Sequence, residues 1–406
     1  MPPHRRKDYR NDNEAQRAAQ PHGRVAIPAG PQFVVLAAWN SGYQKANEHS
    51  RYCEPGPKNY PTAHAVRVEI FSGDFRHAST VPHRGGVSSN CAVCLRLRRG
   101  LVLSQHIEGV VVHERHLTVG SNGVALIEAG VGGRPLLLVH GFTGAKEDFS
   151  WPAGGFDYVN RLANLGWHVV AIDLYGHGGS THFDASPQYS FGTYVQQLLG
   201  VIDSLGWDQC VLLGHSMGGM IAEEFAVTHG DRLAALILMN THHGAINHVD
   251  PVMIPLAKQV AAESGIVGIK AVLDSLNDRP TGSNYSHRVA MDTIAGYEAL
   301  SNAKMLASSG VMFATMLEAM VNRVDRLEFL ATLSLPTMVM IGDYDDGFLA
   351  ASARMASVIP DVKYRMILGG GHSPQFEAPD GWWAAMTEFL ESLDADSADL
   401  GTVGAN

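Results

Sequence analysis

Across 406 residues the chain holds no stretch of about 18 consecutive apolar side chains, the length a helix needs to cross a bilayer, so no membrane span is expected. It has no Gly-x-Gly-x-x-Gly turn and no Gly-rich loop ending in Gly-Lys-Ser/Thr, so no nucleotide cofactor is implied. Cysteine is scarce: of the 4 present, Cys53, Cys91 and Cys94 fall in the first 107 residues. Cys210 is the one thiol beyond them, which argues against a disulfide framework and points to a reducing, cytoplasmic setting. Cys91-x-x-Cys94 has redox or zinc spacing, but no second Cys or His pair follows at finger spacing, and no metal is expected. Methionine is missing between Met1 and Met217, although the chain has 15.

Charge is unevenly shared. Residues 1–107 carry 15 Lys and Arg against 7 Asp and Glu, and the remainder carries 15 against 33, so a basic first part precedes an acidic body. An acidic body argues against nucleic acid as a partner and leaves a small-molecule substrate as the expectation. The basic part has one apolar run, "FVVLAAW" at 33–39, and no sustained periodicity, a composition that builds no core. The 32 mostly polar residues before that run argue against a signal peptide, and Asp8, Asp12 and Glu14 against a transit peptide. Residues 1–107 are therefore expected to be a disordered or mis-assigned extension, with the true start near Val102 at a non-AUG codon.

From about 108 the texture changes. "GVVVHERHLTV" and "VALIEAG" alternate as an antiparallel hairpin does, and then apolar strands ("LLLVHG", "GWHVVAIDLYG", "QCVLLGHS", "LAALILMN", "PTMVMIG", "VKYRMIL") alternate with amphipathic stretches. This predicts an α/β fold, a mostly parallel sheet with helices on both faces, spanning 108–240 and 332–393 with a flexible tail at 394–406. Between Met239 and Pro336 lie far more residues than the roughly 20 to 30 of one crossover helix. The surplus, 241–331, has helical patterning and is expected to form a cap over the carboxyl ends of the strands, where ligands of such sheets bind.

The polar residues expected at those strand ends form a set. His140-Gly141-Phe142-Thr143-Gly144 follows one strand, Ser216 another, Asp343, Asp345 and Asp346 a third, and His372 lies in "GGGHSPQFEAP" after a fourth. Gly214-x-Ser216-x-Gly218 alone is weak, with roughly 0.3 chance matches in a chain this rich in glycine. Its setting between a strand and a helix is stronger: a serine on such a turn is held in a strained conformation, its hydroxyl expected to be exposed beside a helix N-terminus. A hydroxyl becomes a nucleophile when an imidazole takes its proton, and the imidazole needs a carboxylate to fix its tautomer. The backbone N–H groups of Met217 and Phe142, beside Gly141, are the candidate donors to an oxyanion. His140, His177 and His215 are read as satisfying backbone groups of their own turns. The cluster His242, His243 and His248 lacks a partner carboxylate or cysteine at ligand spacing.

The order Ser216, Asp, His372 resembles the α/β-hydrolase fold superfamily, with "HGFTG" similar to its oxyanion turn, "GHSMGG" to its nucleophile elbow and "GGGHSPQFEAP" to its histidine loop. "DLYGHGGS" resembles its Asp-x-Arg-Gly-His-Gly-x-Ser loop, with Tyr175 where arginine is usual. The resemblance implies Asp345 as the acid, three residues after Gly342, over Asp343 and Asp346. It implies a serine esterase working through an acyl-enzyme without a cofactor. Ser216 disfavours the sibling groups with an aspartate nucleophile, the epoxide hydrolases and haloalkane dehalogenases. Acyl transfer, lactone opening, carbon-carbon bond hydrolysis and cofactor-free peroxidation share the machinery, and a non-catalytic receptor is the reading from another class.

Overall fold

The computed structural model describes residues 111–247, 249–277 and 285–400. The basic extension, its boundary with the body and the proposed start near Val102 lie outside the described residues, as does His248. Strands β1 (His113–Val119) and β2 (Asn122–Ala129) form the expected antiparallel hairpin. After β3 (Arg134–Val139) come a two-stranded hairpin, β4 (Ser150–Trp151) and β5 (Phe156–Asp157), and α1 (Tyr158–Ala163), none of which the apolar pattern reveals. β6 (Trp167–Ile172), α2 (Phe191–Ser204), β7 (Cys210–His215), α3 (Met217–His229) and β8 (Leu233–Met239) then alternate.

The main sheet has eight strands in the order β1-β2-β6-β3-β7-β8, continued by β9 (Thr337–Gly342) and β10 (Val362–Ile367). All pairings from β6 to β10 are parallel, and only β2 runs against its neighbours. Successive side chains leave opposite faces of a strand, so each central strand needs apolar residues at every position. Leu137, Val139, Leu212, Leu236 and Val339 pack on one face with Ile202 of α2 and Ile221 and Phe225 of α3. Leu136, Leu138, Leu213, Ile237 and Met338 pack on the other with α1 and with Trp382, Met386 and Phe389 of the last helix.

Between β8 and β9 stands a helical cap, as the composition of 241–331 suggests: α4 (Met253–Asn277), α5 (Tyr285–Thr293), α6 (Tyr297–Leu306), α7 (Gly310–Val321) and α8 (Leu327–Leu330). α4 breaks at Gly265, whose φ of 59° and ψ of −152° suit only glycine. The run "MLASSGVMFATMLEAMVNRV" contains a corner: α6 ends at Leu306, α7 begins at Gly310, and the two are bent by 92°. The break is held by the Ser309 side chain, which accepts from the Met312 N–H, and by the Ser309 N–H, which donates to Gly176 O at 2.7 Å. After α9 (Asp346–Val358) and α10 (Pro374–Glu377), α11 (Pro379–Leu400) replaces the tail expected at 394 with helix as far as Leu400. Among the described residues no single helix is long and apolar enough to cross a membrane.

Candidate active site

The strands β3, β7, β9 and β10 end on one edge of the sheet, and the turns that follow bring the expected residues together. Ser216 lies between β7 and α3 with φ 53° and ψ −117°, a left-handed backbone conformation that costs a serine about 1–3 kcal/mol. Two glycines make this turn possible. A Cβ on Gly214 would stand 2.3 Å from Gly218 O, and one on Gly218 would stand 2.5 Å from His140 O. The expectation of an exposed serine is corrected: Ser216 is 7% exposed, because the oxyanion turn passes so close that a Cβ on Gly141 would lie 3.1 Å from Ser216 Cβ.

Ser216 Oγ is 2.9 Å from His372 Nε2, and His372 Nδ1 is 2.8 Å from Asp345 Oδ2. The Nδ1–H donates to the carboxylate, which leaves Nε2 to accept from the hydroxyl. Neither of the other two candidate carboxylates is hydrogen-bonded to His372: Asp343 Oδ1 accepts from the Gly369 N–H at 2.7 Å, and Asp346 begins α9. Enclosure by protein would depress the pKa of His372, but the Asp345 charge and hydrogen bond, with Glu377 nearby, hold it above the ordinary 6.5.

Residues that the sequence reading passed over complete the setting. Asn240 donates from Nδ2 to Asp345 Oδ2 at 2.7 Å and to Gly371 O at 2.8 Å, tying the acid to the histidine loop. Glu377 Oε2 accepts from the N–H groups of Gly371 and Ser373, which flank His372. It lies inside the quoted "GGGHSPQFEAP", five residues after the histidine, and that spacing is the signal that could have found it. Phe348 of α9 lays its ring on His372, with centroids 4.8 Å apart.

The three turn histidines do satisfy backbone groups, but the expectation that these belong to their own turns is corrected: each Nε2 reaches a neighbouring turn. His140 donates from Nδ1 to Gly141 O at 2.7 Å and accepts the Leu174 N–H at Nε2, which orients the peptide carrying the Phe142 N–H. His177 Nε2 lies 2.6 Å from Phe142 O, and His215 Nε2 lies 2.6 Å from His372 O. Burial lowers all three, to about 4, about 3 and about 4 respectively, so none adds a charge beside His372 at neutral pH. The Met217 N–H opens α3, and among the described residues neither it nor the Phe142 N–H donates to a backbone acceptor.

Of the remaining expectations, Cys210 is buried and its thiol is pushed up to about 12 by burial, so it stays protonated. His243 is engaged by Asp325 at 2.8 Å and by Arg354 at 3.0 Å, and His242 Nδ1 accepts the Gly244 N–H. Among the described residues no group of three or more His, Cys, Asp or Glu could hold a metal ion. Tyr175 donates its N–H to Gln197 and accepts the Tyr194 hydroxyl at its carbonyl, so this loop is anchored without the usual arginine.

Comparisons with known proteins fit this geometry. A thermophilic esterase from Thermogutta terrifontis is 26% identical, with a TM-score of 0.55 over 69% of this chain and 99% of that one. The enol-lactonase of Burkholderia xenovorans LB400 shares the fold at 21% identity and a TM-score of 0.55, over 68% of this chain and all of the other. Epoxide hydrolase 3 of Xenopus tropicalis is 38% identical over 113 residues, 28% of this chain and 29% of that protein. This chain spans only 29–42% of the length of the epoxide hydrolases it matches. The model of the alpha/beta hydrolase fold matches residues 134–379, well over half of the chain and all of the turns that hold Ser216, Asp345 and His372, and the chain belongs to that family.

Proposed function

We propose that the protein is a serine hydrolase that cleaves an ester, or related acyl, bond of a small, largely apolar substrate through an acyl-enzyme. The observation that carries this reading is the hydrogen-bonded series Ser216 Oγ, His372 Nε2, His372 Nδ1, Asp345 Oδ2, at 2.9 and 2.8 Å. His372 takes the hydroxyl proton as Ser216 Oγ bonds to the acyl carbon, and the Phe142 and Met217 N–H groups stabilise the oxyanion that forms. The carbonyl reforms as the alcohol leaves with the proton from His372. Water, deprotonated by the same imidazole, then attacks the acyl-enzyme, and the acid departs as Ser216 recovers its proton. No cofactor takes part in these steps. The buried free thiol of Cys210 is compatible with a reducing cytoplasm.

The epoxide hydrolases among the relatives raise a second reading, and Ser216 weighs against it. A carboxylate that opens an epoxide forms an ester that water can cleave, whereas a serine would form an ether that the imidazole cannot hydrolyse. The test is a fluorophosphonate probe on the full chain, followed by peptide mapping, together with turnover of chromogenic esters. An adduct on Ser216 and ester turnover are expected. No adduct on folded protein, with no hydrolysis across acyl lengths, would overturn the enzyme reading in favour of a receptor.

A further inference from the structure

Two helices of the cap rest directly on the loop that carries His372, a contact that none of the steps above uses. α5 packs on α10, the helix that follows the histidine, and Ala290 of α5 and Tyr297 of α6 form one buried cluster with Phe376 of α10. The rings of Tyr297 and Phe376 lie 5.0 Å apart, and the Tyr297 hydroxyl is hydrogen-bonded to the side chain of Ser373, the residue after the histidine. At the residue before it the approach is closer still. A Cβ on Gly371 would overlap the hydroxyl of Ser286, the second residue of α5, and would stand 2.9 Å from Glu377 Oε2. β9 closes in on the same residue, since a Cβ on Gly342 would overlap Gly371 O. Position 371 is glycine where the cap comes down on the loop.

Ser286 is an unusual residue for plain packing. It is 6% exposed, and among the described residues its Oγ has no hydrogen-bond partner. A buried hydroxyl left unpaired costs about 1–3 kcal/mol, which an alanine there would avoid. Glu377 Oε1 is likewise without a partner among the described residues, on the carboxylate whose other oxygen holds the N–H groups of Gly371 and Ser373. We infer that Ser286 and Tyr297 are positioning residues for His372: they bear on the loop at the residues before and after it, so that the imidazole stands between Ser216 and Asp345 only while these two cap helices are seated. The inference rests on the hydrolase reading above. It gives the cap a part in the rate as well as in binding, because a displacement of about 1 Å at a reacting group can cost about 10²-fold. A cap that lifts to admit substrate releases the histidine loop, and bond-making waits for its return.

Tyr297→Phe keeps the ring and removes only the hydroxyl, and Ser286→Ala removes the other contact. In the full chain the His372 Nδ1–H, held by Asp345, gives a downfield proton resonance, which His372→Gln assigns by its absence. Each of the two substitutions is expected to broaden or abolish that resonance through faster exchange with water. With p-nitrophenyl esters each should lower kcat about tenfold while KM changes less than about twofold, and fluorophosphonate labelling of Ser216 should slow with kcat. Met386→Val, which loosens packing beneath the sheet, is the control for lost stability and should leave resonance and kcat in place. Resonance and kcat unchanged in both cap variants overturn the inference, and so does an equal response to Met386→Val. Should Ser286→Ala fail to fold, Tyr297→Phe decides alone; a response confined to one variant removes the other residue from the role. The resonance needs no substrate, which separates the two readings. An altered resonance in a chain that neither hydrolyses esters nor takes up the probe would keep the positioning and remove the hydrolase. Esters turned over at the same rate by both variants would leave the hydrolase standing and remove the positioning.

Discussion

At the carboxyl edge of the sheet, Ser216, Asp345 and His372 are fixed by close backbone approaches and short hydrogen bonds, whereas the cap above them is held mostly by apolar faces. Met312, Met316 and Met320 of α7 pack on the core, and Phe313, Ala314 and Leu317 pack into the cap's own cluster. Ionic attachments supplement them: Lys304 of α6 pairs with the buried Asp148, Arg323 pairs with Glu223 and Glu224 and donates to His242 O and Met220 O, and Arg326 pairs with Glu224. The contrast separates two tasks. Bond-making tolerates little displacement, and the sheet supplies rigidity; a cap packed through adaptable methionine and leucine surfaces can shift without disturbing the strands.

Substitutions in the two regions should therefore fail in different ways. Ser216→Ala is expected to have the largest effect, a loss of about 10⁶ in kcat with the melting temperature almost unchanged. If it lost stability instead of turnover, the edge of the sheet would be structural and the contrast would collapse. Asp345→Asn should lower kcat by about 10⁴ by removing the carboxylate that orients His372, with Asp343→Asn costing far less. The same change removes the charge that raises His372, so the acid limb of kcat/KM, expected above pH 6.5 in the unaltered protein, should move to lower pH. Equal losses for the two aspartates would show that the hydrogen bond from His372 to Asp345 is not what sets the rate.

The sequence displays the first region better than the second, for a physical reason. Strands buried on both faces must be apolar throughout, so β7 and β9 stand out as runs, and a strand-to-helix elbow needs its two glycines close in sequence. Ser216 and His372 are legible through such local constraints. Asn240 with Asp345, and Lys304 with Asp148, are pairs made by the fold, 105 and 156 residues apart, and nothing near either partner announces them. The cap is read as helical from its periodicity, but its corners are not. Gly265 is one glycine among 43, and the break before Gly310 depends on a hydrogen bond to Gly176 on another turn.

Lys304→Met probes the junction of the two regions. Asp148 is buried, and although burial alone would raise its pKa, the Lys304 ammonium holds it below the ordinary value of 3.8. Removing the ammonium leaves a carboxylate enclosed without its partner, which costs about 3–5 kcal/mol in such sites. Urea unfolding at neutral pH should record a loss in that range, and Asp148→Asn in the same chain should restore part of it. The sign of the pH dependence follows from the depressed pKa: the pair's contribution is present above the unfolded pKa and is lost as pH falls through the folded one. Wild type and variant should therefore converge in acid. A variant as stable as wild type at neutral pH would mean that the cap stays in place without this pair.

Glu377→Gln should have the smallest effect and the most specific one. The amide keeps an oxygen to accept from the Gly371 and Ser373 N–H groups, so the loop around His372 should retain its shape, but the charge that helps to raise His372 is gone. His372 accepts the serine proton only when neutral, so activity falls as pH drops through its pKa. Lowering that pKa should carry the acid limb of kcat/KM to lower pH while the plateau falls by about tenfold or less, a small change beside the roughly 10²- to 10⁴-fold that a general base supplies. Glu377→Ala removes the acceptor as well, so it should shift the limb in the same direction and also lower the plateau further as the loop loosens. An acid limb that stays in place for Glu377→Gln, with a normal plateau, would reduce Glu377 to a loop clamp and leave the protonation of His372 to Asp345.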